Sequence, residues 1–163
     1  MTTTTEHPTD PATLAAMFPD LAGVFPAAGS VLVSRSDVMP GTTACASASR
    51  RLVAEALAVA GRCPAADDAA LIVSELAANA VRHTRSGKGG EVRVTVAAAP
   101  AEWVLILVGD DGQDEGLVPG IPAQRPSAES GRGLLLVAAL SAACGYAPGG
   151  LSWALLPWEG AAR

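Results

Sequence analysis

The stretch Val73-Ser74-Glu75-Leu76-Ala77-Ala78-Asn79-Ala80-Val81-Arg82-His83 decides how the rest of the chain is read. Ile72, Leu76 and Ala80 recur at helical spacing, and Val73, Ala77 and Val81 form a second apolar row beside them, so this is a substantially buried helix. Against that background Glu75, Asn79 and His83 stand at i, i+4 and i+8, a polar line along a face otherwise expected to be mostly Ala and Val. One reading is bland, since an isolated Glu or His on a helix usually faces water. The other is chemical. Asn79 offers a carbonyl oxygen to Mg²⁺, a hard cation that prefers oxygen ligands and shares substrate phosphates. Glu75, one turn earlier, then points a carboxylate at the terminal phosphate, where it orients or deprotonates an incoming hydroxyl or water.

Working outward, this helix is expected to start near Pro64, with Asp67 and Asp68 in a first turn where negative charge suits the helix dipole. Cys45, Ala48, Leu52, Ala56 and Val59 predict an earlier one-faced helix, capped by Thr42 or Thr43 and closed by Gly61. Ahead of it, residues 30–35 place Val31 and Val33 on one side and read as a short strand, with a break at Met39-Pro40-Gly41. Downstream, residues 91–96 put Val92, Val94 and Val96 on one face, and 103–108 are almost continuously apolar, as expected of a strand buried on both sides. The turn around Pro100 makes those two an antiparallel pair. Residues 109–133 lose periodicity and read as a lid. Residues 134–143 predict a helix ending near Gly145, and 151–156, with Trp153, the last strand.

A chain of 163 residues suits one domain with a real core. Half of it is hydrophobic but only 4% is aromatic, which points to a core of Leu, Val and Ala. The expected organisation is a loosely docked or flexible segment over 1–29, a domain over 30–158 and a tail over 159–163. Leu14, Met17, Phe18, Leu21 and Phe25 leave open a docked helix in the first segment. The net charge of −5 and the lack of any Lys/Arg cluster argue against nucleic acid. Cys45, Cys63 and Cys144 are odd in number and lack metal-ligand spacing, which fits buried thiols in a cytoplasmic protein. No segment reads as a signal peptide or a membrane span.

Two further elements carry chemistry. In Gly109-Asp110-Asp111-Gly112, at the end of the buried strand, a carboxylate can accept the exocyclic N–H of adenine, and Gly112 lets backbone approach the base; an Asp-Gly pair is equally an ordinary turn. In Ser130-Gly131-Arg132-Gly133-Leu134, ahead of an apolar helix, glycines expose backbone N–H groups to a phosphate, and Arg132 either contacts phosphate or caps the loop.

In this order and at these separations the three elements resemble the N, G1 and G2 boxes of the GHKL (Bergerat-fold) ATPases over roughly residues 31–157. The 73–83 stretch is similar to the N box of the anti-sigma-factor serine/threonine-protein kinases and their actinobacterial relatives. The resemblance implies an α+β fold, a two-layer sandwich with a mixed, mostly antiparallel sheet and helices on one face. It implies ATP and Mg²⁺ as cofactors, Glu75 as catalytic base, Asn79 on the metal, Asp110 on adenine, and Gly131 and Gly133 at the phosphates. His83, Gly112, Arg132 and Leu134 complete the nucleotide-binding set. Members of this kind bind a sigma factor and phosphorylate a serine on a small anti-anti-sigma (STAS-type) partner, and they commonly form homodimers. Two positions depart from the pattern: Asp114 stands where many relatives have the second G1 glycine, and Glu129 where some carry an arginine. Both add negative charge near phosphate, which weakens ATP binding or transfer unless the lid carries it into solvent. A histidine-kinase catalytic domain shares the ATP site but needs a phosphoacceptor histidine on a helical hairpin, and the chain offers only His7 and His83.

Overall fold

The computed structural model of the protein describes residues 5–6, 33–112, 130–147 and 149–161. The strands are β1 (Thr5–Glu6), β2 (Val33–Pro40), β3 (Glu91–Ala99), β4 (Trp103–Gly109), β5 (Ala143–Ala147) and β6 (Leu151–Pro157). The helices are α1 (Cys45–Ala60), α2 (Ala66–His83) and α3 (Ser130–Leu140), and a 3-10 turn occupies Arg85–Lys88. One sheet runs in the order β1-β2-β3-β4-β6-β5, with every neighbouring pair antiparallel. This is the α+β two-layer sandwich that the resemblance implies, with the described sheet wholly antiparallel rather than mixed.

Alternation along the strands creates the two layers. Val92, Val94 and Val96 of β3, Val104, Ile106 and Val108 of β4, and Ala154 and Leu156 of β6 form one buried cluster with Leu52, Val53, Ala56, Ile72, Val73 and Leu76 of the helices. Each fully buried aliphatic side chain there contributes about 1.5–3 kcal/mol relative to leaving it in water. The opposite face carries Ala97, Ala99, Trp103, Leu105, Leu107 and Ala147, also buried, and no residue of α1, α2 or α3 belongs to that cluster. Strand β4 is thus buried on both sides, as its unbroken apolar run predicts.

Several local expectations need correction. β2 does not stop near residue 35; its register against β3 continues to Pro40 opposite Glu91. Val59 is 65% exposed, and the buried stripe of α1 is Cys45, Ser49, Leu52, Val53, Ala56 and Leu57. Neither Thr42 nor Thr43 caps α1 by its side chain; Ala44 holds the cap position, and the Thr42 carbonyl accepts from the Cys45 amide at 2.9 Å. Asp68 is buried rather than merely serving the dipole, and its Oδ2 accepts from the Ala161 amide at 3.3 Å. The helix expected over 134–143 begins earlier and ends at Leu140, and residues 143–147 form β5. Gly145 hides that strand from a sequence reading. It stands opposite Trp153, whose indole lies so close that a Cβ would come within 2.9 Å of it, so the ring covers the bare backbone.

The three cysteines are free; Cys45 and Cys63 are buried, Cys144 is half-buried, and burial pushes all three thiols upward in pKa. Among the described residues no helix is long and apolar enough to cross a membrane. The lid expected over 109–133 needs correction at both ends, since Gly109 ends β4 and residues 130–133 belong to α3; its middle, 113–129 with Asp114 and Glu129, and the apolar residues Leu14, Met17, Phe18, Leu21 and Phe25 lie outside the described residues.

Candidate functional site

Helix α2 lies against the sheet with Ile72, Val73, Leu76, Ala77 and Ala80 buried, and this rotation leaves Glu75 and Asn79 half-buried and His83 exposed at its last residue. Glu75 and Arg82 share a face of α2, and Asn79 falls between them on that face by helical spacing. Glu75, Arg82, Arg132, Gly133 and Leu136 line a cavity of about 450 Å³ between α2 and α3. Gly133 is bare for a reason: a Cβ there would overlap the Glu75 carboxylate.

Gly131, Arg132, Gly133 and Leu134 do not form a loop ahead of the helix; they are inside α3, in its first turn and just beyond. The amides of a first turn have no intrahelical acceptor, so they are donors for an anion in either arrangement. Leu134 packs against the core cluster, which limits any role at a ligand to its backbone. Among the described residues the side chains of Glu75, Asn79, Arg82 and Arg132 make no hydrogen bond or ion pair.

The end of β4 is built differently. The Asp110 amide donates to the Gly150 carbonyl at 2.7 Å, and the Gly112 amide donates to Asp110 Oδ1 at 2.7 Å. Gly112 adopts φ 74° to close this turn, a left-handed conformation that suits glycine. Gly150, at φ 82°, lies under Asp110: a Cβ would come within 2.6 Å of both its carbonyl oxygen and Oδ1. No described residue donates to Asp110 Oδ2, which leaves that oxygen for a ligand's N–H. Burial raises the Asp110 pKa above the ordinary value of 3.8, the Gly112 hydrogen bond lowers it, and the neighbouring Asp111 charge raises it.

Asp111 serves another purpose. Its Oδ2 accepts from the Glu91 amide at 2.9 Å, and its own amide donates to Ser86 Oγ at 2.9 Å. Arg85 Nε and Nη2 reach the Asp111 carbonyl at 3.0 and 2.6 Å, and the Arg85 amide donates to the Gly112 carbonyl at 2.9 Å. The sequence reading missed Arg82, Arg85, Ser86, Leu136 and Gly150. Arg82 had a usable signal, seven residues after Glu75 on the same helix face; Gly149-Gly150 looked like any turn.

A two-layer sandwich with a cavity between a polar helix face and the glycine-bearing start of the next helix, and a half-buried carboxylate at the end of β4, is the architecture of a GHKL-type domain. The model of the histidine kinase-like ATPase domain matches residues 39–153, and the chain belongs to that family. The comparison with curated proteins finds no match. Domains of this family bind ATP, generally with Mg²⁺. The residues present fit such a ligand: Asp110 keeps one carboxylate oxygen uncommitted, and the first turn of α3 supplies amides next to Arg132. Among the described residues no group of three or more His, Cys, Asp or Glu could hold a metal ion. A Mg²⁺ here would therefore be held by the Asn79 amide oxygen together with water and nucleotide phosphates, the sharing that this small, strongly hydrated cation favours.

Proposed function

We propose that the protein is a Mg-ATP-dependent regulatory serine/threonine-protein kinase that binds a sigma factor and phosphorylates a serine on an anti-anti-sigma (STAS-type) partner. The observation that supports this reading is the Glu75 carboxylate resting against bare Gly133 in a cavity shared with Arg82 and Arg132. A carboxylate beside two guanidiniums suits phosphoryl transfer: the cations offset charge on the transferring group, and the carboxylate takes the proton of the attacking hydroxyl. Asn79 would hold the metal, and Asp110 Oδ2 would accept from the adenine amine.

Incubating the purified chain with radiolabelled ATP and candidate anti-anti-sigma proteins tests the reading. Label should pass to a partner serine, and Glu75→Gln should stop transfer while retaining ATP. ATP binding with no transfer to any candidate would reject the kinase assignment. That result would favour a second reading, a non-catalytic ATP-sensing or protein-binding module, which the carboxylates Asp114 and Glu129 in the sequence around the phosphate-binding elements support.

A further inference from the structure

The residues read as metal holder and adenine acceptor sit on different elements, Asn79 on α2 and Asp110 just past the end of β4. Their separation is set by whatever ties the end of α2 to the end of β4. Beyond the core packing of α2 on β4, the two ends are joined by a knot of hydrogen bonds among residues 84–91 and 111–112. Thr84 Oγ1 donates to the Ala80 carbonyl at 2.6 Å and accepts from the Ser86 amide at 3.2 Å, so the 3-10 turn is locked to the last turn of α2. Ser86 is fully buried. Its Oγ accepts from the Asp111 amide at 2.9 Å and donates its single proton to the Glu91 carbonyl at 2.6 Å, with Asp111 Oδ2 at 3.1 Å as the alternative acceptor. Asp111 returns the link by accepting from the Glu91 amide.

Three glycines make room for this knot. A Cβ on Gly90 would overlap Asp111 Oδ2, one on Gly41 would overlap the Ser86 carbonyl, and one on Gly87 would overlap the Val81 carbonyl. Asp111 is itself exposed, so its carboxylate has water as an alternative and contributes little net stability by turning inward. What the inward turn does accomplish is geometric. It fixes the peptide that follows Asp110, and the Gly112 amide that this peptide chain presents is the group clamping Asp110 Oδ1.

We infer that Asp111 and Ser86 are positioning residues for base recognition, holding the Asp110 carboxylate at a set distance and angle from the Asn79-bearing helix. The inference rests on the reading of Asp110 as the adenine acceptor and assigns the residues that aim it.

Calorimetric titration of full-length variants with ATP and, separately, with inorganic triphosphate tests it. ATP reports both ends of the cleft, and triphosphate reports the phosphate end alone. Asp111→Ala should weaken ATP binding about tenfold while changing triphosphate binding less than about twofold. Asp111→Asn keeps an oxygen for the Glu91 amide and should restore ATP affinity to within about twofold of wild type. Arg85→Ala removes only the exposed guanidinium contacts and should show the same ATP-selective loss at about threefold; it serves if Asp111→Ala does not fold. Equal weakening of ATP and triphosphate, or ATP affinity unchanged in both Asp111→Ala and Arg85→Ala, would overturn the inference. Asp110→Asn separates this from the underlying reading. If that variant loses ATP affinity while the Asp111 and Arg85 variants do not, only the positioning role fails; if it too binds ATP normally, the base assignment fails with it.

Discussion

At the end of β4, Asp110, Asp111 and Gly112 commit almost every polar group to a neighbour: Gly150, Ser86, Glu91 and Arg85 each hold one or more of them. At the α3 end, Glu75, Arg82 and Arg132 line one cavity and make no hydrogen bond among the described residues. The contrast matches what each end would meet. A base is a flat, invariant object, best recognised by a frame fixed before it arrives, because ordering that frame on binding would cost affinity. A phosphate chain changes charge and length during a reaction, and groups that must follow it cannot be tied to the protein beforehand. The braced end should therefore be sensitive through stability, and the open end through chemistry.

The strongest way to break this contrast is a pair of glycine substitutions. Gly150→Ala forces a side chain into a left-handed backbone and against the Asp110 backbone, which has no flexible end to move aside. It should cost about 2–4 kcal/mol in chemical denaturation and weaken ATP binding as well. Gly133→Ala meets only the mobile end of Glu75, and it replaces a helical glycine. Stability should hold or rise by about 0.5–1 kcal/mol, while phosphoryl transfer falls about a hundredfold because the displaced carboxylate no longer faces the phosphate. If both variants lose stability alike, the two ends are not built differently.

Asp110→Asn sharpens the comparison with a smaller effect. Losing a charge-assisted hydrogen bond should lower ATP affinity about tenfold to a hundredfold, read by calorimetry. The stability effect has the opposite sign. Burial holds the folded-state pKa of Asp110 above its unfolded value, so the ionised carboxylate disfavours folding above the folded pKa, and that cost disappears below the unfolded one. At neutral pH the variant should be at least as stable as wild type. In the wild type, ATP affinity should begin to fall on acidification at a pH above 3.8, the ordinary value for an aspartate. A variant clearly less stable than wild type at neutral pH would contradict a half-buried carboxylate whose desolvation outweighs its one hydrogen bond, from the Gly112 amide.

Both layers of the fold were legible because their signals are periodic. The apolar rows of α2 and the alternation of Val92, Val94 and Val96 depend only on near neighbours in sequence, and the continuous run of β4 announces burial on both faces. β5 was not legible, since the partner that makes Gly145 tolerable is Trp153 on another strand. The eleven-residue stretch reads as a helix with Glu75 and Asn79 on one face; in the structure Glu75 lines the cavity and Asn79 is half-buried one turn on. The knot around Ser86 could not be read, because Ser86, Asp111 and Gly90 look like ordinary turn residues until the chain brings them together. The glycines of 131–133 read as a loop ahead of the apolar helix, yet α3 includes them despite glycine's low helix propensity.

The claim beneath all of this is that one nucleotide spans both ends of the cleft, with its metal on Asn79. Calorimetric titration with ATP, with and without Mg²⁺, on the wild type and on Asn79→Ala tests it most directly. Mg²⁺ should tighten ATP binding to the wild type and make no difference to a folded Asn79→Ala chain. A full Mg²⁺ effect in the variant, or no ATP binding by the wild type under either condition, would contradict it.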